Sequence, residues 1–188
     1  QSVLLLALAR MPSAPLRGGA LGGIAIGIGM LATGLTGITL LVTATLALLH
    51  AQWRGRTALG IGTAIIAGSG IAALWPLLLG WQSPELLTPL WKLEAVHLKP
   101  AGLSLNDFQD HLELLGWAAW PVLPIALWAL WSGRRHLHQP AMFLPVMASL
   151  VVLAQILIFT EPRPLNHLPL LPPLVLLAAA GAEKLRRG

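Results

Sequence analysis

The chain has 188 residues, 56% of them hydrophobic and only 10% charged, with a mean hydropathy of +0.75. A soluble domain carries about 25% charged residues, so this sequence could not cover a water-soluble globule and reads as an all-α, polytopic membrane helix bundle. Its formal charge of +5 sits in basic pairs at the ends of apolar runs, the pattern of topology signals and not of a nucleic-acid surface. The absence of cysteine excludes disulfides, thiol catalysis and cysteine-based metal sites.

Residues 1–9 are apolar and end at Arg10, resembling the end of a spanning helix. The chain is therefore expected to be the C-terminal membrane portion of a longer protein, spanning 1–188. Pro12 and Pro15 interrupt that first run, and residues 18–50 follow as an almost unbroken apolar stretch. At 33 residues it exceeds the roughly 20 needed to cross a bilayer. Thr33, Gly34, Thr36 and Gly37 in its middle are turn residues, so the stretch reads as two short helices, with one long tilted helix as the alternative. Glycines 18, 19, 22, 23 and 27 give the first half a smooth packing face.

Thr57–Leu79 is the next expected span, and residues 80–111 form the most polar stretch. Within that stretch 89–98 is expected to be a short interfacial helix, and Asn106 or Asp107 to cap the helix after it. Residues 112–131 span again with Pro121 and Pro124 as kinks, and Pro140 opens the following helix. A last helix runs from the EPRPLNH segment to the end, making six to seven transmembrane segments in all. Arg10, Arg17, Arg54, Arg56, Arg134, Arg135, Lys184, Arg186 and Arg187 then share one side of the membrane, against Lys92, Lys99 and Arg163 on the other. That asymmetry makes the 80–111 loop and the Arg163 segment extracytoplasmic.

Arg163 is the basic residue of a short outer loop between two apolar runs. Its guanidinium suits a phosphate through paired hydrogen bonds, or it snorkels toward membrane lipid headgroups. Asn166 and His167 follow it. In the long loop, Glu94 and His97 lie three apart between Lys92 and Lys99; on a helix they share a face and suit an anionic headgroup or, less simply, part of a divalent-metal site. His97, Asp107 and His111 match no compact zinc spacing. No cofactor follows from these residues, and a divalent metal is left open.

Two stretches carry a family resemblance. LELLGWAAWPVLPIALWALWSGRR, residues 112–135, resembles the kinked late helix of bacterial lipid-linked sugar transferases, the superfamily of GT-C enzymes that holds the aminoarabinose (lipid A) transferases and protein O-mannosyltransferases. EPRPLNHLPLLPPLVLLAAAG, residues 161–181, is similar to that family's outer loop P-R-x-x-Y-x-L-P-x-x-P, with Arg163, Leu168, Pro169 and Pro172 at matching positions and Asn166 in place of tyrosine. Residues 18–37 resemble the glycine-rich helix ending L-T-K-G-P, with Thr33 for the lysine and Leu35 for the proline. Trp91, Glu94 and His97 resemble a W-x-x-E-x-x-H pattern.

The resemblance implies an inverting glycosyltransferase of a bacterial inner membrane, taking a sugar from a polyprenyl-phosphate donor to lipid A, another glycolipid or a protein. It assigns donor phosphate binding to Arg163, assisted by Lys92 or Lys99, and leaves Glu94, His97, Asn166 and His167 for an acceptor or headgroup. The resemblance places the catalytic base, an acidic residue, in a first outer loop near the N-terminus, which has no counterpart in these residues. A secondary transporter or flippase-like permease is the alternative, because a broken hairpin at 31–37 resembles the interrupted helices that line transport sites.

Overall fold

The computed structural model describes residues 1–49, 55–97 and 104–187, and among these every regular element is a helix. In chain order they are α1 (Ser2–Arg10), α2 (Pro15–Thr33), α3 (Ile38–Ala47), α4 (Arg56–Gln82), α5 (Leu87–His97), α6 (Leu105–Ala118), α7 (Val122–Gly133), α8 (Pro140–Phe159), α9 (Pro164–His167) and α10 (Leu171–Arg187). The chain divides into two compact units, Leu6–Lys99 and Gln1–Leu5 with Pro100–Gly188.

In the first unit α2 lies along α4. Gly19 faces Gly60, Gly22 faces Ala64, Gly23 faces Ala67 and Gly27 faces Ile71. Both series rise together, so the two helices run parallel. Their glycines let the backbones approach so closely that a Cβ on Gly19 would lie 2.6 Å from the Gly60 carbonyl oxygen.

Parallel neighbours in sequence order need a return path, and the 34–37 segment begins it. A 3-10 turn, Gly34–Gly37, separates α2 from α3. Gly29 meets the end of the Leu40 side chain and Gly37 meets Met30. A straight helix would separate residues 29 and 40 by about 16 Å at 1.5 Å per residue, so the chain reverses here, as the turn residues predicted. The turn's hydroxyls are satisfied locally: Thr33 Oγ1 donates to the Gly29 carbonyl (2.8 Å) and Thr36 Oγ1 to that of Thr33 (2.6 Å).

In the second unit α10 packs on α7 and α8 around Ala126, Ala129, Met142, Val152, Ile156, Leu174 and Leu177. Pro140 occupies the first turn of α8 as expected. The cap of α6 is Ser104, whose Oγ accepts from the Asp107 N–H at 3.0 Å. Neither Asn106 nor Asp107 fills that role; Asp107 lies in the first helical turn, where its charge suits the free amides. The expected kink within 112–131 is far larger than a kink. α6 and α7 meet at 97° around Ala119–Pro121. Pro121 has no N–H to continue the ladder, and Pro124 lies in the first turn of α7, where a missing N–H costs little.

Among the described residues, four stretches are long and apolar enough to cross a membrane, Pro15–Ala47, Thr57–Gln82, Pro140–Phe159 and Pro164–Ala182, with a fifth if the bent α6–α7 pair counts as one. Large apolar side chains point outward along them, Leu59, Ile66, Leu77 and Leu150 among them. These features are consistent with a multi-pass membrane protein. α1 has only 9 residues and α3 only 10, and neither reaches spanning length alone.

Candidate functional site

The segment between α8 and α10 is shaped by its prolines. α8 ends at Phe159, and Thr160 leaves in extended conformation with its hydroxyl donating to the Ile156 carbonyl at 2.7 Å. Pro162 and Pro164 bias the residues before them away from helix, and Arg163 is extended, with φ −126° and ψ 141°. Pro164 then starts α9 without sacrificing a hydrogen bond.

Arg163 does not stand alone. Its Nη2 lies 2.6 Å from Oε2 of Glu161, and the two side chains are 71% and 68% exposed. Asn166 closes the turn, its Nδ2 donating to the Glu161 carbonyl at 2.9 Å and its backbone N–H to that of Arg163 at 3.0 Å. Asn166 is thus engaged in holding the loop. A guanidinium carries five donors, so most of the Arg163 fork remains available to a ligand. An exposed ion pair stabilises by only about 0–1 kcal/mol, so a phosphate can displace the Glu161 carboxylate at little cost.

Behind this turn lie two buried histidines. His167 is 2% exposed and His111, from α6, 5%. His111 Nδ1 and His167 Nε2 are 3.2 Å apart, and His167 Nδ1 is 2.9 Å from the Arg163 carbonyl oxygen. His167 therefore belongs to the packed interior and anchors the Arg163 turn from behind.

The predicted residues of the long loop belong to the first unit. α5 forms as expected, and Lys92 is exposed on it. Glu94 accepts a hydrogen bond from the Leu35 N–H at 2.8 Å. A Cβ on Gly34 would fall on the same carboxylate. Glu94 thus caps the tip of the α2–α3 hairpin, whose freed amide would otherwise need another acceptor. His97 closes α5; Lys99 lies outside the described residues.

Among the described residues no group of three or more His, Asp or Glu side chains is arranged to hold a metal ion. Two participants escaped the sequence reading. Glu161 was discoverable, because side chains two apart in an extended segment fall on one side. The His111–His167 contact joins residues 56 positions apart, and no local spacing announces it. Compared with protein families, with characterised proteins and with solved structures, the chain gives no match.

Proposed function

We propose that the chain is the C-terminal membrane part of a GT-C-like glycosyltransferase with six to seven spans, lodged in a bacterial inner membrane. It moves a sugar from a polyprenyl-phosphate donor to a lipid A-like, glycolipid or protein acceptor on the extracytoplasmic face. One observation carries the reading: Arg163 presents an exposed guanidinium with a displaceable partner at the head of the apolar stretch Pro164–Ala182. A lipid-linked phosphate has the matching shape, with its tail in hydrocarbon and its charge at the interface.

In the transfer an acceptor oxygen attacks the anomeric carbon and the bond from that carbon to the phosphate oxygen breaks. The electron pair leaves with the lipid phosphate, and the acceptor's proton passes to a base. Arg163 offsets the charge that grows on the departing phosphate, with Lys92 or Lys99 as further cations. The base is the acidic residue that the resemblance places in an earlier outer loop.

Arg163→Ala is expected to lower transfer from a polyprenyl-phosphate sugar by about 10- to 100-fold, equivalent to the roughly 1.5–3 kcal/mol of a charged hydrogen bond. Glu161→Gln leaves transfer unchanged or raises it, because it removes the competing carboxylate. Full activity and undiminished donor affinity in Arg163→Ala would exclude Arg163 from the site. The broken hairpin at 34–37 favours a second reading, a permease; solute uptake by proteoliposomes lacking any lipid donor would select it. Against that reading, the freed Leu35 amide is already taken by Glu94.

A further inference from the structure

We propose that the turn between α7 and α8 binds an anionic phospholipid, with Arg134 and Arg135 on its phosphate and the exposed face of α7 along its acyl chains. The first observation is the order of side chains on that face. Leu127, Trp128 and Trp131 follow one another at helical spacing, and Arg134 and Arg135 come three and four residues after Trp131. Leu127 and Trp128 are exposed, Trp131 is 71% exposed, and both arginines are exposed. The Arg134 guanidinium lies 4.6 Å from the centroid of the Trp131 ring, so the stripe is continuous in space as well as in sequence. It passes from aliphatic to aromatic to cationic, the order in which a phospholipid presents its chains, its ester region and its phosphate.

The second observation is the charge at this end of the second unit. Among the described residues neither arginine has a carboxylate within ion-pair distance. Arg134 Nη1 meets the Trp131 carbonyl oxygen at 3.5 Å, a long contact that a ligand can replace. No acidic residue occurs between Glu113 and Glu161, and these two are separated from the turn by the whole of α7 and of α8 respectively.

The backbone of α10 brings further positive residues to the same level. α8 starts where α7 ends and α10 starts shortly after α8 ends, so α10, packed on both, runs parallel to α7. Gly181 meets Ala129. From that level Arg134 is five residues on and Arg187 six, about 7–9 Å at 1.5 Å per residue. Lys184, Arg186 and Arg187 thus occupy backbone positions level with the turn, with Glu183 as the one acid among them. Paired guanidiniums take a phosphate through parallel N–H···O bonds, and basic pockets between helix ends bind lipid phosphates. A free phosphate would satisfy the arginines and leave the exposed Leu127 and Trp128 unused, so a lipid is the occupant that the whole stripe fits. The site lies at the other end of α8 from Arg163 and does not rest on the proposed transfer reaction.

The test is native mass spectrometry of the full chain in detergent micelles doped with dioleoyl phosphatidylglycerol, and in parallel with dioleoyl phosphatidylcholine, whose choline neutralises the same phosphate. The wild-type chain is expected to retain one phosphatidylglycerol in preference to phosphatidylcholine. Arg134→Gln with Arg135→Gln should weaken that binding about 30-fold, at about fivefold for each arginine near a lipid surface. Trp131→Leu keeps both charges and should weaken it about two- to fivefold. Arg10→Gln with Arg17→Gln removes the same charge from the first unit and should leave the binding unchanged. Equal losses in the two double variants would overturn the site in favour of general charge attraction, and equal retention of the two lipids would overturn it as well. Excess glycerol 3-phosphate should not displace the lipid; displacement would mean a free-phosphate site and sink the lipid assignment. Should the Arg134→Gln and Arg135→Gln chain not fold, Arg134→Lys with Arg135→Lys keeps the charge and loses the planar fork, and undiminished lipid retention there would count against the proposal.

Discussion

Gly34 adopts φ 65° and ψ −145°, a conformation open in practice to glycine alone. The Glu94 carboxylate fills the space where any side chain would go. Both effects act on one residue, so Gly34→Ala is expected to cost at least the roughly 1–3 kcal/mol of a strained backbone. Glu94→Ala leaves the Leu35 amide unpaired, at about 1–3 kcal/mol, whereas Glu94→Gln keeps an acceptor oxygen and costs less. Thermal unfolding in detergent would order the three, with Gln nearest wild type. Equal melting temperatures for Glu94→Ala and wild type would show that the carboxylate does not hold the turn. The turn itself was legible, because Thr33, Gly34, Thr36 and Gly37 have no business in the middle of an ordinary span. The partner of the turn was not, because 59 residues separate Leu35 from Glu94. Its charge made Glu94 look like a ligand contact, while the need it meets belongs to a backbone amide that no sequence pattern displays.

Among the helices, the α2–α4 pair rests on the absence of side chains. Gly19 and Gly60 leave no room at the crossing, since a Cβ on Gly60 would stand 2.6 Å from the Pro15 carbonyl oxygen. Gly62 and Gly70 lie on the same helix α4 with nothing within 4 Å of a new Cβ. Gly60→Ala is therefore expected to destabilise the pair by about 1–3 kcal/mol, as overpacking does. Gly70→Ala should be neutral or stabilising by up to about 1 kcal/mol, from the higher helix propensity of alanine. A thermal shift assay on the two variants checks this, and similar losses in both would mean that crowding at Gly60 is not the cause. The spacing of the α2 glycines marked a packing face in the sequence; which helix it received depended on the chain reversing at 34–37. The α6–α7 bend was legible only in part. Pro121 announced an interruption, but the 97° angle depends on packing that one residue cannot specify.

At the scale of the whole chain, the fold of the first unit bears on the membrane topology independently of charge counting. α2 and α4 run parallel, so the residues that precede them lie at one end of the unit and the residues that follow them at the other. Arg10 and Arg17 lie at or before the start of α2, and Arg56 opens α4. Glu85 follows α4 directly. In the second unit α8 separates Arg135 from Leu165, and its 20 residues have a length of about 30 Å at 1.5 Å per residue, the thickness of the hydrocarbon core. Cytoplasmic loops attract lysine and arginine, so the charge rule, applied to each unit by itself, predicts Ser13 inside and Glu85 outside in the first unit, and Arg135 inside and Leu165 outside in the second. The chain contains no cysteine, so it can report on this without prior engineering. Single Ser13→Cys, Arg135→Cys, Glu85→Cys and Leu165→Cys variants would be exposed in spheroplasts to a membrane-impermeant thiol reagent, and again after the membrane is opened. The expected outcome is labelling of the 85 and 165 positions in sealed spheroplasts, with 13 and 135 reacting only once the membrane is permeable. Labelling of 13 together with 85 would contradict the parallel packing of α2 and α4. Labelling of 13 and 135 alone would keep the helices and invert the charge rule, which would move Arg163 to the cytoplasmic face and out of reach of an extracytoplasmic donor.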